Sequence, residues 1–218
     1  MTYHPLIAFF TEQGVPVQTV LLLLMLPVVA TLVAFFRQVI GIKAFGIYTP
    51  SLITFALLAF DPNGLKYGIA IFVSVILVGM VTRFILKRFR LLYLPRVAIT
   101  LSIVSLAILL ILVIGGMYQR TGLASVSIFP LLIMITLAEK FVATQIEKGS
   151  RAAFILATET LVISVIGYFL VSWQTLTVLI LEYPWVILST FVINFSLGKW
   201  TGLRITEYFR FRKVTRHL

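Results

Sequence analysis

The sequence predicts an all-α integral membrane protein with seven transmembrane helices, and three observations carry that expectation. Hydrophobic residues make up 61% of the 218 and charged residues only 11%, against about 45–50% and roughly 25% in soluble domains. The mean hydropathy is +1.10, more apolar side chain than so little polar surface could cover in water, and the opposite of a disordered composition. The apolar residues also gather into runs of the length that a bilayer core of about 30 Å requires of a helix. Finally, the basic residues sort to one side of those runs.

The runs are 16–36, 43–60, 67–86, 95–117, 123–143, 152–172 and 177–199. The first is expected to remain a spanning helix, because residues 1–15 contain no Lys or Arg to form the charged start of a secretory signal. Gly41 and Lys43 separate it from the second, which closes at Asp61-Pro62-Asn63-Gly64. The third ends before Lys87, Arg88 and Arg90, and the fourth opens at Pro95 and closes at Gly115-Gly116. The fifth follows Gly122, the sixth follows Glu147 to Ser150, and Ser172-Trp173-Gln174 lies ahead of the seventh. No connection is long enough to be a domain. The expected organisation is one seven-helix domain over 1–218, with an extracytoplasmic tail 1–15 and a basic cytoplasmic tail 204–218.

The net charge of +11 comes from 18 Lys and Arg against 7 Asp and Glu. In a soluble protein it would suggest nucleic acid. Placed on seven spans with the C-terminus inside, every Lys and Arg except Lys66 and Arg120 falls on the cytoplasmic side, as the positive-inside rule asks. The expectation is therefore N-out, C-in, with the lipid bilayer and no nucleic acid as partner. Tyr183, Trp185, Trp173 and Trp200 fall near span ends, where an aromatic belt sits.

Two stretches suggest an internal repeat. Tyr48-Thr49-Pro50-Ser51-Leu52-Ile53 resembles Ile128-Phe129-Pro130-Leu131-Leu132-Ile133, and Leu92 to Val97 resembles Leu181 to Val186. The matched helices are three apart, so helices 2–4 and 5–7 would form an inverted repeat, a frequent construction in transporters with sites at broken helices. Thr49, Pro50, Phe129 and Pro130 are the candidate broken-helix site. Proline near a helix start is also ordinary usage.

Glu159 lies near the middle of the sixth run, where a carboxylate costs on the order of 2.5–3.5 kcal/mol and should face a cavity or a partner. It is a candidate proton or cation relay, or a hook for a cationic substrate; the competing reading is a hydrogen-bonded glutamate that fixes helix packing. Glu139, beside Lys140, is a second intramembrane candidate or an interfacial ion-pair residue. Arg37 either snorkels to the surface or pairs inward with Glu139. Arg83 is expected to snorkel. Arg210, Arg212, Lys213 and Arg216 could hold anionic lipid headgroups or act in topology alone. With no Cys, thiolate metal sites, Cys nucleophiles and disulfides are excluded. No phosphate-loop, zinc-protease or serine-hydrolase motif is present, and neither a metal nor a cofactor is expected.

Arg37 to Pro50 (RQVIGIKAFGIYTP) and Arg90 to Arg96 (RLLYLPR) resemble a bacterial seven-helix membrane family. So do Ile128-Phe129-Pro130 with Ala138 to Val142, Gln145 to Gly149, and Gly198 to Arg204 with Glu207-Tyr208. That family is described as seven transmembrane helices usually fused to an inactive transglutaminase-like domain. The resemblance implies an extracytoplasmic transglutaminase-like module ahead of the helices, in keeping with N-out. With only residues 1–15 before the first run, the module is expected to be encoded separately or missing from a truncated product. The resemblance also implies an association with a cytoplasmic ATP-grasp peptide ligase. The expected function is thus a non-enzymatic component of the bacterial inner membrane that anchors or serves those partners. The alternative is a transporter or exporter of a small polar or peptide-like product with Glu159 in its pathway. An intramembrane enzyme would need Glu139 and Glu159 to converge on one cavity.

Overall fold

The computed structural model describes residues 4–60, 64–89, 91–117, 127–200, 202, 204, 205 and 208. Every regular element among them is helical. In order they are α1 (Pro5–Glu12), α2 (Val17–Phe35) continued by a π turn (Phe36–Ile40), α3 (Tyr48–Leu58), α4 (Gly64–Leu86) and α5 (Tyr93–Met117). Then come α6 (Ile128–Lys148), α7 (Ser150–Val171), α8 (Gln174–Glu182), a 3-10 turn (Pro184–Ile187) and α9 (Leu188–Gly198). Arg120, Asp61 to Asn63, Glu207 and the basic residues Arg210, Arg212, Lys213 and Arg216 lie outside the described residues.

Five of these segments are long and apolar enough to cross a membrane: Val17–Ile40, α4, α5, α6 and α7. A sixth crossing is made if α8 and Pro184–Gly198, which meet at 107°, count together. Two expected spans therefore differ from plain helices. Of 43–60, only the 11 residues of α3 are helical, about 16 Å at 1.5 Å per residue, roughly half a bilayer core. Ala44 (φ 44°) and Gly46 (φ 87°) hold the preceding chain in the left-handed region, and the Pro50 ring would strike the carbonyl four residues earlier if the helix began sooner. The run 177–199 is broken because Pro184 cannot donate to the ladder and pushes Tyr183 out of helical conformation; Tyr183 has φ −129° and ψ 71°.

Proline placement follows the same logic. Pro5, Pro50, Pro95 and Pro130 all sit within the first three residues of α1, α3, α5 and α6, where the missing N–H had no intrahelical acceptor. Pro50 and Pro130 thus begin helices and do not interrupt them. Pro27, by contrast, lies inside α2. The segments aligned by the repeat also differ in form, since α3 has 11 residues and α6 has 21, while α5 is continuous and its counterpart is bent.

The chain divides into two compact units, Met1–Lys43 with Phe169–Leu218, and Ala44–Tyr168. In the first, α2 packs against α1, α8, the 3-10 turn and α9. Ile7, Val20 and Leu181 form its apolar centre, and the His4 N–H donates to the Leu181 carbonyl at 3.3 Å. Near Pro27, the Thr31 hydroxyl donates to the Pro27 carbonyl at 2.8 Å and accepts from Asn194 Nδ2 at 2.7 Å, tying α2 to α9.

In the second unit α6 packs against α3, α4 and α5, and α4 against α3 and α5. Its core runs from Ile53 and Leu57 through Ile71, Val75, Met134, Leu137 and Phe141 to Ala153 and Ala157. Glycine lets two backbones approach: a Cβ at Gly64 or Gly68 would run into Leu57, the small-xxx-small spacing that serves helix contact in membranes. The opposite faces are also apolar. On α5, Leu106, Leu109, Leu110 and Val113 are exposed along one stripe, an unsuitable surface in water but the expected one against lipid.

Candidate functional site

The polar groups of the second unit converge where α7 meets the turn leading into α3. Residues 44–47 are not helical, so their amides need partners other than the helix ladder, and within a bilayer water does not supply them. Ala44 is in the left-handed region (φ 44°), and its N–H and that of Phe45 both find acceptors on α7. The Ala44 N–H donates to Glu159 Oε2 at 3.0 Å, and the Phe45 N–H donates to Thr160 Oγ1 at 3.0 Å. The Thr160 hydroxyl gives its own proton to the Leu156 carbonyl at 2.6 Å, leaving its lone pairs for Phe45.

One and two turns further along, the contact continues. Ser164 Oγ lies 2.8 Å from the Thr160 carbonyl and 3.0 Å from the Pro50 carbonyl. Thr54 Oγ1 lies 2.9 Å from the Pro50 carbonyl and 3.2 Å from the Ser164 carbonyl. Each hydroxyl has one proton shared between two acceptors. Thr54, Thr160 and Ser164 are almost wholly buried, and Gly167 completes the face: a Cβ there would stand 2.6 Å from Thr54 Oγ1. Ala153, Ala157, Thr160, Ser164 and Gly167, all buried, follow a four-three spacing that puts small residues on one stripe of α7.

Glu159 is half-buried, and its Oε2 serves as an acceptor for a turn that a helix could not satisfy. The hydrogen-bonding partner expected of an intramembrane carboxylate is therefore present, as a backbone amide 115 residues away in sequence. Glu139 is exposed on α6 beside exposed Lys140, so Glu139 points away from the core that α6 helps to form. A cavity of about 130 Å³ between α4 and α7 is lined by Phe72, Ile76, Leu77, Phe154, Thr158 and Leu161 among others, and by neither carboxylate. Arg37 is half-buried within the π turn after α2. Pro50 is buried and gives its carbonyl to the Thr54–Ser164 contact, Thr49 is half-buried, Pro130 is buried, and Phe129 is exposed.

Sequence reasoning found Glu159 but missed Thr160, Ser164 and Gly167, although their helical spacing was readable. Asn194 and Thr54 are expected from the sequence as interhelical hydrogen-bond donors and do bond across helices, to Thr31 and to the Ser164 carbonyl; the Gly64–Gly68 pair and the partner Thr31 were missed. The partner amides have no side-chain signature, and nothing in the composition announces the left-handed Ala44.

Residues 6–215 match the family described as seven transmembrane helices usually fused to an inactive transglutaminase. No curated protein and no solved structure matches the chain.

Proposed function

We propose, because this chain belongs to the family of seven transmembrane helices usually fused to an inactive transglutaminase, that it is a non-enzymatic membrane scaffold for a transglutaminase-like module. The module would stand on the extracytoplasmic side of a bacterial inner membrane, with the chain N-out and C-in as the distribution of Lys and Arg favours. A cytoplasmic ATP-grasp peptide ligase is the second partner in this reading. The observation that carries it is the family match over residues 6–215. The seam between α7 and the α3 turn supports it, since Glu159, Thr160, Ser164 and Thr54 all spend hydrogen bonds on holding backbone in place. Affinity purification of the full chain from its native membrane after mild crosslinking should recover a transglutaminase-like protein and a ligase. Recovery of neither would sink the scaffold reading.

A second reading, transport of a small polar or peptide-like product, is favoured by the half-length α3 and by the 107° break at Tyr183-Pro184, since broken helices line transporter sites. In that reading Glu159 contributes to the pathway, with Thr49 and Pro50 at the start of α3 and Phe129 and Pro130 at the start of α6. Flux of labelled small peptides into proteoliposomes is the measurement. Glu159→Gln should cut flux at least tenfold; undiminished flux in Glu159→Gln would remove that residue from the mechanism.

A further inference from the structure

Between α4 and α7 the second unit has an apolar groove with a cationic end, and we propose that it holds one anionic phospholipid. The two helices run antiparallel along it. At one end Arg83 Nη1 donates to Ser150 Oγ at 3.5 Å, joining the last turn of α4 to the first residue of α7. Arg96 lies at the start of α5, which packs against α4. Arg96 is held by a 2.7 Å bond from Nη2 to the Leu91 carbonyl, and its buried Nε has no partner. Among the described residues neither arginine pairs with a carboxylate. A half-buried guanidinium without a carboxylate partner retains donors for an anion, and hydrogen bonds to a charged acceptor are the stronger ones. The first amides of α7, beginning at Ser150, add donors that have no acceptor within their own helix, and that first turn contains no acidic residue.

The groove is in register with this end. Its lining comes from Phe72, Val73, Ile76 and Leu77 on α4 and from Phe154, Ala157, Thr158 and Leu161 on α7. Counting seven residues back from Arg83 gives Ile76, and seven forward from Ser150 gives Ala157. Both lie about 10 Å from the cationic end at 1.5 Å per residue. Phe72 and Leu161 match again at eleven residues, about 16 Å away. The cavity of about 130 Å³ therefore begins below the arginines and continues toward the membrane interior, where an acyl chain attached to a headgroup phosphate would lie. Charge selects the headgroup and the groove selects a chain, which a free phosphate ion lacks.

The test uses the full chain purified in a neutral detergent and incubated with phosphatidylglycerol or phosphatidylcholine of matched acyl chains, with bound lipid counted by native mass spectrometry. Phosphatidylglycerol should be retained about tenfold more than phosphatidylcholine, as expected for charge-assisted hydrogen bonds. Arg83→Gln should abolish that preference and Arg83→Lys should keep most of it. Lys66→Gln, at the opposite end of α4, should leave it unchanged. Thr158→Trp, which fills the groove, should lower retention of both lipids several-fold with its thermal unfolding unaltered. Equal retention of the two lipids by the unaltered chain would overturn the proposal. So would a preference that survives Arg83→Gln, retention of both lipids unchanged by Thr158→Trp, or full displacement of the lipid by millimolar inorganic phosphate.

Discussion

Glu159 and Thr160 accept hydrogen bonds from neighbouring amides of one turn, so a change in either side chain should be felt at Ala44 and Phe45. Glu159→Ala leaves the Ala44 N–H without its acceptor in a medium that supplies none, which costs about 1–3 kcal/mol. Glu159→Gln keeps a carbonyl oxygen there and should lose clearly less. Reversible unfolding in mixed micelles measures both, and equal losses would mean that the Ala44 contact is not what Glu159 contributes. Gly167 makes a sharper case. Gly167→Ala drives a Cβ to 2.6 Å from Thr54 Oγ1, an overpacking cost of roughly 1–3 kcal/mol. Thr54→Ala removes the two nearer of the three obstructing atoms and leaves Thr54 Cβ at 3.4 Å. The double variant should therefore be more stable than the sum of the single losses predicts, and strict additivity would refute direct contact.

At the scale of elements, α3 and α8 with α9 show how proline and left-handed residues convert apolar runs into something other than straight spans. The run 177–199 is apolar enough to read as one helix, and hydropathy has no sensitivity to the N–H that Pro184 lacks. With spin labels at Thr175→Cys and Phe195→Cys, a straight helix would separate the two by about 30 Å. The 107° bend should bring them well inside that distance, and Pro184→Ala should lengthen it. An unaltered distance would show that packing against α2, not proline, sets the bend. The face of α7 was legible in principle, since Ala153, Ala157, Thr160, Ser164 and Gly167 are a four-three stripe of small residues. What it meets was not legible, because α3 presents backbone carbonyls and amides there, and these look alike in every sequence. The Gly64–Gly68 pair is similar: the spacing is visible, but the close approach of Leu57 depends on how α3 packs against α4.

For the whole molecule, the composition and the sorting of Lys and Arg bear on how the chain sits in the bilayer. The absence of Cys gives a clean background for labelling. In intact cells Lys66→Cys should react with a membrane-impermeant maleimide, and Lys87→Cys should react only after permeabilisation; the reverse pattern would overturn N-out, C-in. The sequence by itself determined the membrane class, the family and the positions of the apolar runs, because burial in lipid demands length and apolarity, and both are local properties of the chain. It did not determine which runs are full spans or what Glu159 holds. Those were decided by tertiary structure, since a half-length helix needs other helices to satisfy its exposed backbone. The residues that do so here come from α7, 110 to 115 positions away along the chain.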